Sequence, residues 1–134
     1  IKMSLDVENT DIGYLCGRLF AVLERIQETA LGKINATIVD RFYGSASSTP
    51  MSVFGKLIDL SNHHLSKIDK PNSVVFFRKA IGEIMDKMPA SGFPSHLSLD
   101  EQSRFAIGYY HQKQEFFKSK TENNEIENKE NEND

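Results

Sequence analysis

Apolar residues recur at helical spacing along most of the chain, and no segment keeps up an alternation of period two. Such a pattern folds as packed helices rather than as a sheet. Ile12, Leu15, Leu19, Val22, Leu23 and Ile26 follow the i, i+3, i+4, i+7 rule and predict a first helix over 11–30, roughly 30 Å long. On its wheel Glu24 and Glu28 face away from the stripe, while Tyr14, Arg18 and Arg25 share its margin. Gly32 and Asn35 predict a break, after which Ile34, Ile38 and Phe42 continue the helical spacing only weakly. Residues 44–50, Gly-Ser-Ala-Ser-Ser-Thr-Pro, read as a small-residue loop opening a helix, with Thr49 as cap and Pro50 at the first helical position.

Met51, Phe54, Ile58 and Leu65 then predict the buried stripe of a second helix over 50–66, with Lys56, His63 and Lys67 on its other side. A turn at 69–72 precedes Val74, Phe77, Ala80, Ile81, Ile84 and Met88, which mark a third helix ending before Pro89. Phe93 is expected to pin the connector 89–96 to the core. Ser98-Leu99-Asp100-Glu101 has the form of a capping box. The helix it starts runs to about Lys118, with Leu99, Ala106, Tyr109, Tyr110 and Phe117 inward and Arg104, His111 and Lys118 outward. Lys113 and Gln102 fall inside the apolar stripe, so the Lys113 amine must snorkel, find an acid or face a partner. The expected architecture is all-α, a single bundle of four or five helices over 11–118. An N-terminal extension precedes it at 1–10, and a disordered acidic tail follows at 119–134.

Charge divides the same way. Residues 121–134 hold six acids against Lys129 alone, and removing them leaves 13 acids and 15 bases in residues 1–120. The net charge of −3 thus becomes +2 for the part expected to fold. The tail reads as a solvated terminus with no role, ahead of one that keeps the chain soluble or discourages stray nucleic-acid binding. One cysteine, Cys16, excludes an intrachain disulfide and any CxxC motif, which fits a reducing cytoplasm. The most apolar window, 14–23, is interrupted by Arg18 and is about half the ~20 residues of a membrane span. No targeting segment is visible, and the sequon Asn35-Ala36-Thr37 is discounted. A start at Ile1, with Met3 two residues on, suggests a fragment or an internally initiated product.

No catalytic constellation emerges. Cys16, His63, His64, His96 and His111 share no zinc-ligand spacing, so no metal is expected. Ser45 and Ser47 lack the GxSxG elbow, and there is no Walker lysine, no GxGxxG and no two-metal carboxylate set. The chain reads as a non-enzyme without a cofactor. What remains is cationic and aromatic: Lys56 and Lys67 on one helix and Arg104 and Lys118 on another could follow a phosphate backbone, although any soluble helix shows a charged face. Residues 40–50 join Arg41, Phe42 and Tyr43 to a small-residue segment at a helix start, a place where anions bind. Phe105, Tyr109, Tyr110, Phe116 and Phe117 spread over more of the last helix than one core stripe needs, so that helix is either central or docked on another protein.

Four ordered blocks carry a resemblance: residues 14–24 (YLCGRLFAVLE), 40–50 (DRFYGSASSTP), 63–65 (HHL) and 105–114 (FAIGYYHQKQ). Together they resemble the C-terminal region of the large subunit of type I-C CRISPR Cascade, the Dvulg-type family, over about residues 5–117. The resemblance implies a helical domain also made separately, by internal initiation, as the small subunit of the complex. Such subunits pack on the backbone and large subunits of the guide RNA complex, in more than one copy, and hold target or displaced DNA without cutting it. On that reading Arg18, Arg25, Arg41, Lys56, Lys67, Arg78 and Arg104 are expected to contact phosphates, assisted by Ser45 and Ser47. Arg18, Arg41 and the two serines lie in the family-like blocks, whereas Lys56, Lys67 and Arg78 rest on charge and wheel position. Tyr109 and Tyr110 read as core rather than as base-stacking platforms. The competing reading is a structural spacer with no nucleic-acid contact.

Overall fold

The computed structural model describes residues 4–132, with side chains through Lys118. Five helices follow one another: α1 (Ile12–Leu31), α2 (Ile38–Ser48), α3 (Pro50–Leu65), α4 (Pro71–Asp86) and α5 (Leu99–Glu132). No strand occurs among the described residues, so the fold is the all-α bundle that the periodicity predicts. The acidic tail expected over 119–134 lies outside the residues described to side-chain level.

The Asp11 carboxylate opens α1 by accepting the Tyr14 N–H at 3.0 Å, and Gly32, at φ 73°, closes it in a backbone region that favours glycine. Between these ends α1 is buried on almost every side, with Arg25 alone outside the buried set from Gly13 to Gln27. This corrects the wheel. Tyr14, Arg18 and Glu24, expected at the margin or facing away, are 3%, 4% and 8% exposed. A two-sided wheel assumes an outer face, and α1 has none because α2, α3, α4 and α5 all pack on it.

α5 runs parallel to α1, and the two backbones nearly touch. A Cβ at Gly13 would overlap the Glu101 carbonyl, one at Gly17 the Phe105 carbonyl, and one at Gly108 the Tyr14 carbonyl. Glycine is needed at these three positions for the approach itself rather than for any unusual dihedral. Around the crossing, Phe20 meets Phe105 and Tyr109 with ring centroids 6.0 Å away, Tyr43 at 5.7 Å and Phe54 at 6.4 Å. Edge and tilted contacts of this kind suit the ring quadrupoles.

The loop expected at 44–50 is mostly helix. Thr37 and Asp40 form a capping box that starts α2, and the buried Gln27 side chain of α1 accepts the Ile38 N–H at 3.0 Å. The small residues fit against neighbours: Ala46 is fully buried, and Ser48 hydrogen-bonds back to the Gly44 carbonyl at 2.8 Å. Only Thr49 breaks the run before Pro50 starts α3. Thr49 holds the expected cap position, but its hydroxyl bonds to the Ser45 carbonyl and Ser52 hydroxyl instead of capping. Met51, expected in the core, is exposed, while Val53, Phe54 and Leu57 are buried.

α4 is the least embedded helix, with only Phe77 and Ile84 fully buried. The connector after it is pinned as expected: Phe93 stacks on Phe54 at 4.8 Å, Pro94 accepts the Met51 N–H and Ser48 the Leu97 N–H. The capping box at Ser98 and Glu101 is present in both directions. The face of α5 is not the expected one. Phe105, Gly108, His111 and Gln112 point inward and Tyr109 is half-buried, whereas Leu99, Ala106, Tyr110 and Phe117 are exposed.

Candidate nucleic-acid interface

The nine residues expected at phosphates divide into three groups. Arg41, Lys56, Lys67, Arg78 and Ser45 are exposed. Arg41 lies over the Phe42 ring, 5.0 Å from its centroid, and Lys56, Lys67 and Arg78 make no ion pair among the described residues. Lys67 sits in the turn beyond α3 rather than on the helix. These side chains are free to meet a phosphate.

Two residues are engaged already. Arg25 pairs with Glu28 at 3.2 Å on the surface of α1, and Arg104 Nε lies 2.9 Å from Asp11 Oδ1, close enough for an ion pair but out of line for a hydrogen bond. Exposed pairs of this kind are worth roughly 0–1 kcal/mol and can be exchanged for another anion. The outer stripe expected on α5 is also interrupted, because His111 is buried beneath Tyr14.

The last two, Arg18 and Ser47, are buried and do not reach solvent. Arg18 Nε donates to Gln112 Oε1 at 3.0 Å, and its Nη1 has no hydrogen-bond partner among the described residues. Burial lowers the pKa of the guanidinium, against the raising influence of Tyr14, Glu83 and Asp6. The neighbouring Tyr14 hydroxyl is 2.9 Å from His111 Nδ1 and accepts the Asp6 N–H at 2.9 Å. Burial raises the Tyr14 phenol, while the Asp6 amide and Arg18 act the other way.

Further along α1 in the same seam, Tyr109 donates to the Glu24 carboxylate at 2.8 and 2.9 Å, and Lys113 Nζ reaches Glu24 Oε1 at 3.2 Å and the Tyr109 hydroxyl at 3.1 Å. Lys113 therefore finds an acid. Burial alone would lower its pKa, but Tyr109 and Glu24 outweigh that and leave it raised. Burial is likewise the main reason the Tyr109 phenol is pushed up to about 12. Sequence reasoning missed this polar seam, although Tyr14 with Arg18 and Tyr109 with Lys113 stand at i, i+4, the spacing that puts side chains on one helix face.

A family model described as CRISPR-associated protein (Cas_Csd1) matches residues 1–117. The chain belongs to the Cas_Csd1 family. Among curated proteins none matches it. The likeness to a CRISPR-associated protein read from four sequence blocks therefore holds at the level of the family. In this Cas_Csd1 domain the first and last blocks face each other across the α1–α5 seam, and Tyr43 of the second packs on Phe105 and Tyr109 of the last at 5.4 Å. The family-like residues thus build the core more than the surface. His64, from the third block, is buried, and acid is expected to destabilise the domain through it.

Burial, then His63 and Lys67, depress the His64 imidazole below its ordinary 6.5. The unfolded chain takes up that proton as the pH falls through 6.5 and the folded chain resists it, so stability is lost below 6.5 and not above. Urea midpoints at pH 7.5 and 5.5 should fall further for the wild-type chain than for His64→Gln; equal falls would rule His64 out. Cys16 has no such role: burial foremost, with Asp11 and Glu101 adding, pushes its thiol up to about 12, and it stays protonated and unreactive.

Proposed function

We propose that this chain is the non-catalytic small subunit of a type I-C Cascade effector, acting in the cytoplasm. It packs on the backbone and large subunits and holds target or displaced DNA by contacts that ignore sequence. The observation that carries the reading is the set of exposed cations Arg41, Lys56, Lys67 and Arg78 on the surface of a rigid helical domain of a CRISPR-associated family. Exchanging a DNA duplex for a guide–target heteroduplex is nearly balanced in free energy, so a few phosphate contacts can decide whether the displaced strand stays open. Arg25 and Arg104 can join by giving up surface ion pairs. Arg18 and Ser47 take no part, because both are buried.

The alternative is a helical spacer that touches only protein. It is favoured by the uncharged stripe of Ser103, Ile107, Tyr110, Gln114 and Phe117 on the outer side of α5 and by the inward role of Arg18. The two readings part in a salt series of target-DNA affinity, using guide-loaded complex reconstituted without the chain, with it, and with Arg41→Glu/Lys56→Glu/Lys67→Glu. The DNA-holding reading requires the triple variant to assemble normally, to bind at least about tenfold more weakly at low salt, and to lose about two units of slope in log K against log salt. Unchanged affinity and slope in an assembled complex would leave the spacer.

A further inference from the structure

α1 and α5 run the same way, with Glu24 beside Tyr109 and Lys113, and Glu28 lining a shallow groove with Phe117. α2 and α4 run against them. Ile38 starts α2 at Gln27, near the end of α1, while Phe77 of α4 meets Phe116 and Glu83, further along, comes near Arg18. One end of the bundle therefore gathers the turns 32–37 and 66–70, the first turn of α2 and the exit of α5 after Lys118. Lys33, Arg41, Lys67 and Lys70 come to this end, all exposed and without an ion pair among the described residues. Asp69 is the only acid in the two turns, and Asp40 is spent on the capping box of α2. The acids lie in the chain that leaves from here, where residues 121–134 hold six against Lys129 alone. Lys70 precedes Phe77 by two turns on an antiparallel helix, so it comes level with about residue 123 of α5, between Glu122 and Glu125.

We propose that residues 121–134 are a built-in competitor for nucleic acid at this basic end, an electrostatic brake on the free chain. The inference rests on the DNA-holding reading and adds its regulation. Charges closer than about 8 Å escape most of the screening at physiological salt, so carboxylates starting level with Lys70 act on the whole end. A tethered anion also competes at an effective concentration on the order of millimolar. A phosphate backbone that takes the end must displace the acids already there. Fewer counterions are then released, so both the affinity and its salt dependence fall. In the complex the guide-paired duplex holds the opened strand beside the chain, and that second tether offsets the first. The brake thus separates stray nucleic acid, met in free solution, from a strand delivered by the complex.

Fluorescence anisotropy of the free, full-length chain with a labelled oligothymidylate of about 20 nucleotides and with a duplex of the same length tests it, from about 50 to about 300 mM salt. Circular dichroism verifies that every variant folds. Glu122→Gln/Glu125→Gln/Glu127→Gln/Glu130→Gln keeps the length of the chain and should bind both probes at least about tenfold more tightly at the lowest salt, a gain that shrinks below about threefold at the highest. On a Lys33→Gln/Lys67→Gln/Lys70→Gln background the same four changes should gain less than about twofold, because the cations they unmask are gone. A full gain on that background overturns the proposal, since the acids would then act elsewhere. Equal binding by the wild-type and four-Gln chains overturns the brake and leaves DNA holding intact. Binding by neither overturns the brake and counts against DNA contact as well.

Discussion

Replacing Gly17 by valine should destabilise the domain by more than about 4 kcal/mol, enough to abolish most of the stability of an ordinary domain. The new side chain would have to enter the space held by the Phe105 carbonyl, with the Tyr109 amide nitrogen only 2.8 Å from its Cβ. Backbone cannot swing aside as a flexible side chain can, so α1 and α5 must separate, and the Phe20 ring cluster and the polar seam go with them. Gly55 on α3 is the control, because a Cβ there meets nothing within 4 Å. Gly55→Ala should raise stability by about 0.5–1 kcal/mol through helix propensity alone. Urea unfolding followed by circular dichroism reads both. If Gly17→Val and Gly55→Ala moved the midpoint alike, the close crossing of α1 and α5 would be wrong.

Arg18 gives the second large effect, and its direction separates folding from DNA binding. Arg18→Glu places a carboxylate in a buried site facing the Gln112 amide oxygen, with Asp6 and Glu83 already in the neighbourhood. The loss should exceed about 3 kcal/mol, the usual consequence of an uncompensated buried charge. Arg18→Met keeps the long stem, removes the charge together with the unpartnered Nη1, and leaves one amide oxygen to be satisfied otherwise; it should stay within about 1.5 kcal/mol of wild type. Unfolding midpoints of the two variants decide the point. An Arg18→Glu chain as stable as wild type would show that this side chain reaches solvent and could meet a phosphate after all.

The sequence was most informative where one local pattern governs an element. The spacing from Ile12 to Ile26, the pair Ser98 and Glu101, and Pro50 as a helix start all correspond to what the chain forms, whereas Pro71, read as part of a turn, already begins α4. It misled where tertiary packing overrides local preference. The run 44–48 lacks bulk and looks like a loop, yet an upstream capping box at Thr37 and a place for Ala46 in the core keep it helical. On α5 the longest apolar side chains suggested the buried face, while a face containing Gly108 is what lets α1 approach. Arg18 could not be told from a surface arginine, because a wheel does not say whether a helix lies at the rim of a bundle or at its centre. Arg41, Lys56, Lys67 and Arg78 were legible as exposed cations, since nothing in the fold competes for them.

The pairing of α1 with α5 also sets an order of events as the chain is made. Tyr14 and His111, and Arg18 and Gln112, are 97 and 94 positions apart. A helix whose partner is so distant spends most of synthesis with its apolar flank open, because loop closure between the two ends has to precede the reward of contact. α2 and α3 can shield part of α1 earlier, but the strip occupied by Gly13 and Gly17 stays uncovered until α5 has left the ribosome. Until then the nascent chain offers other proteins the same glycine-lined groove that the finished domain reserves for itself.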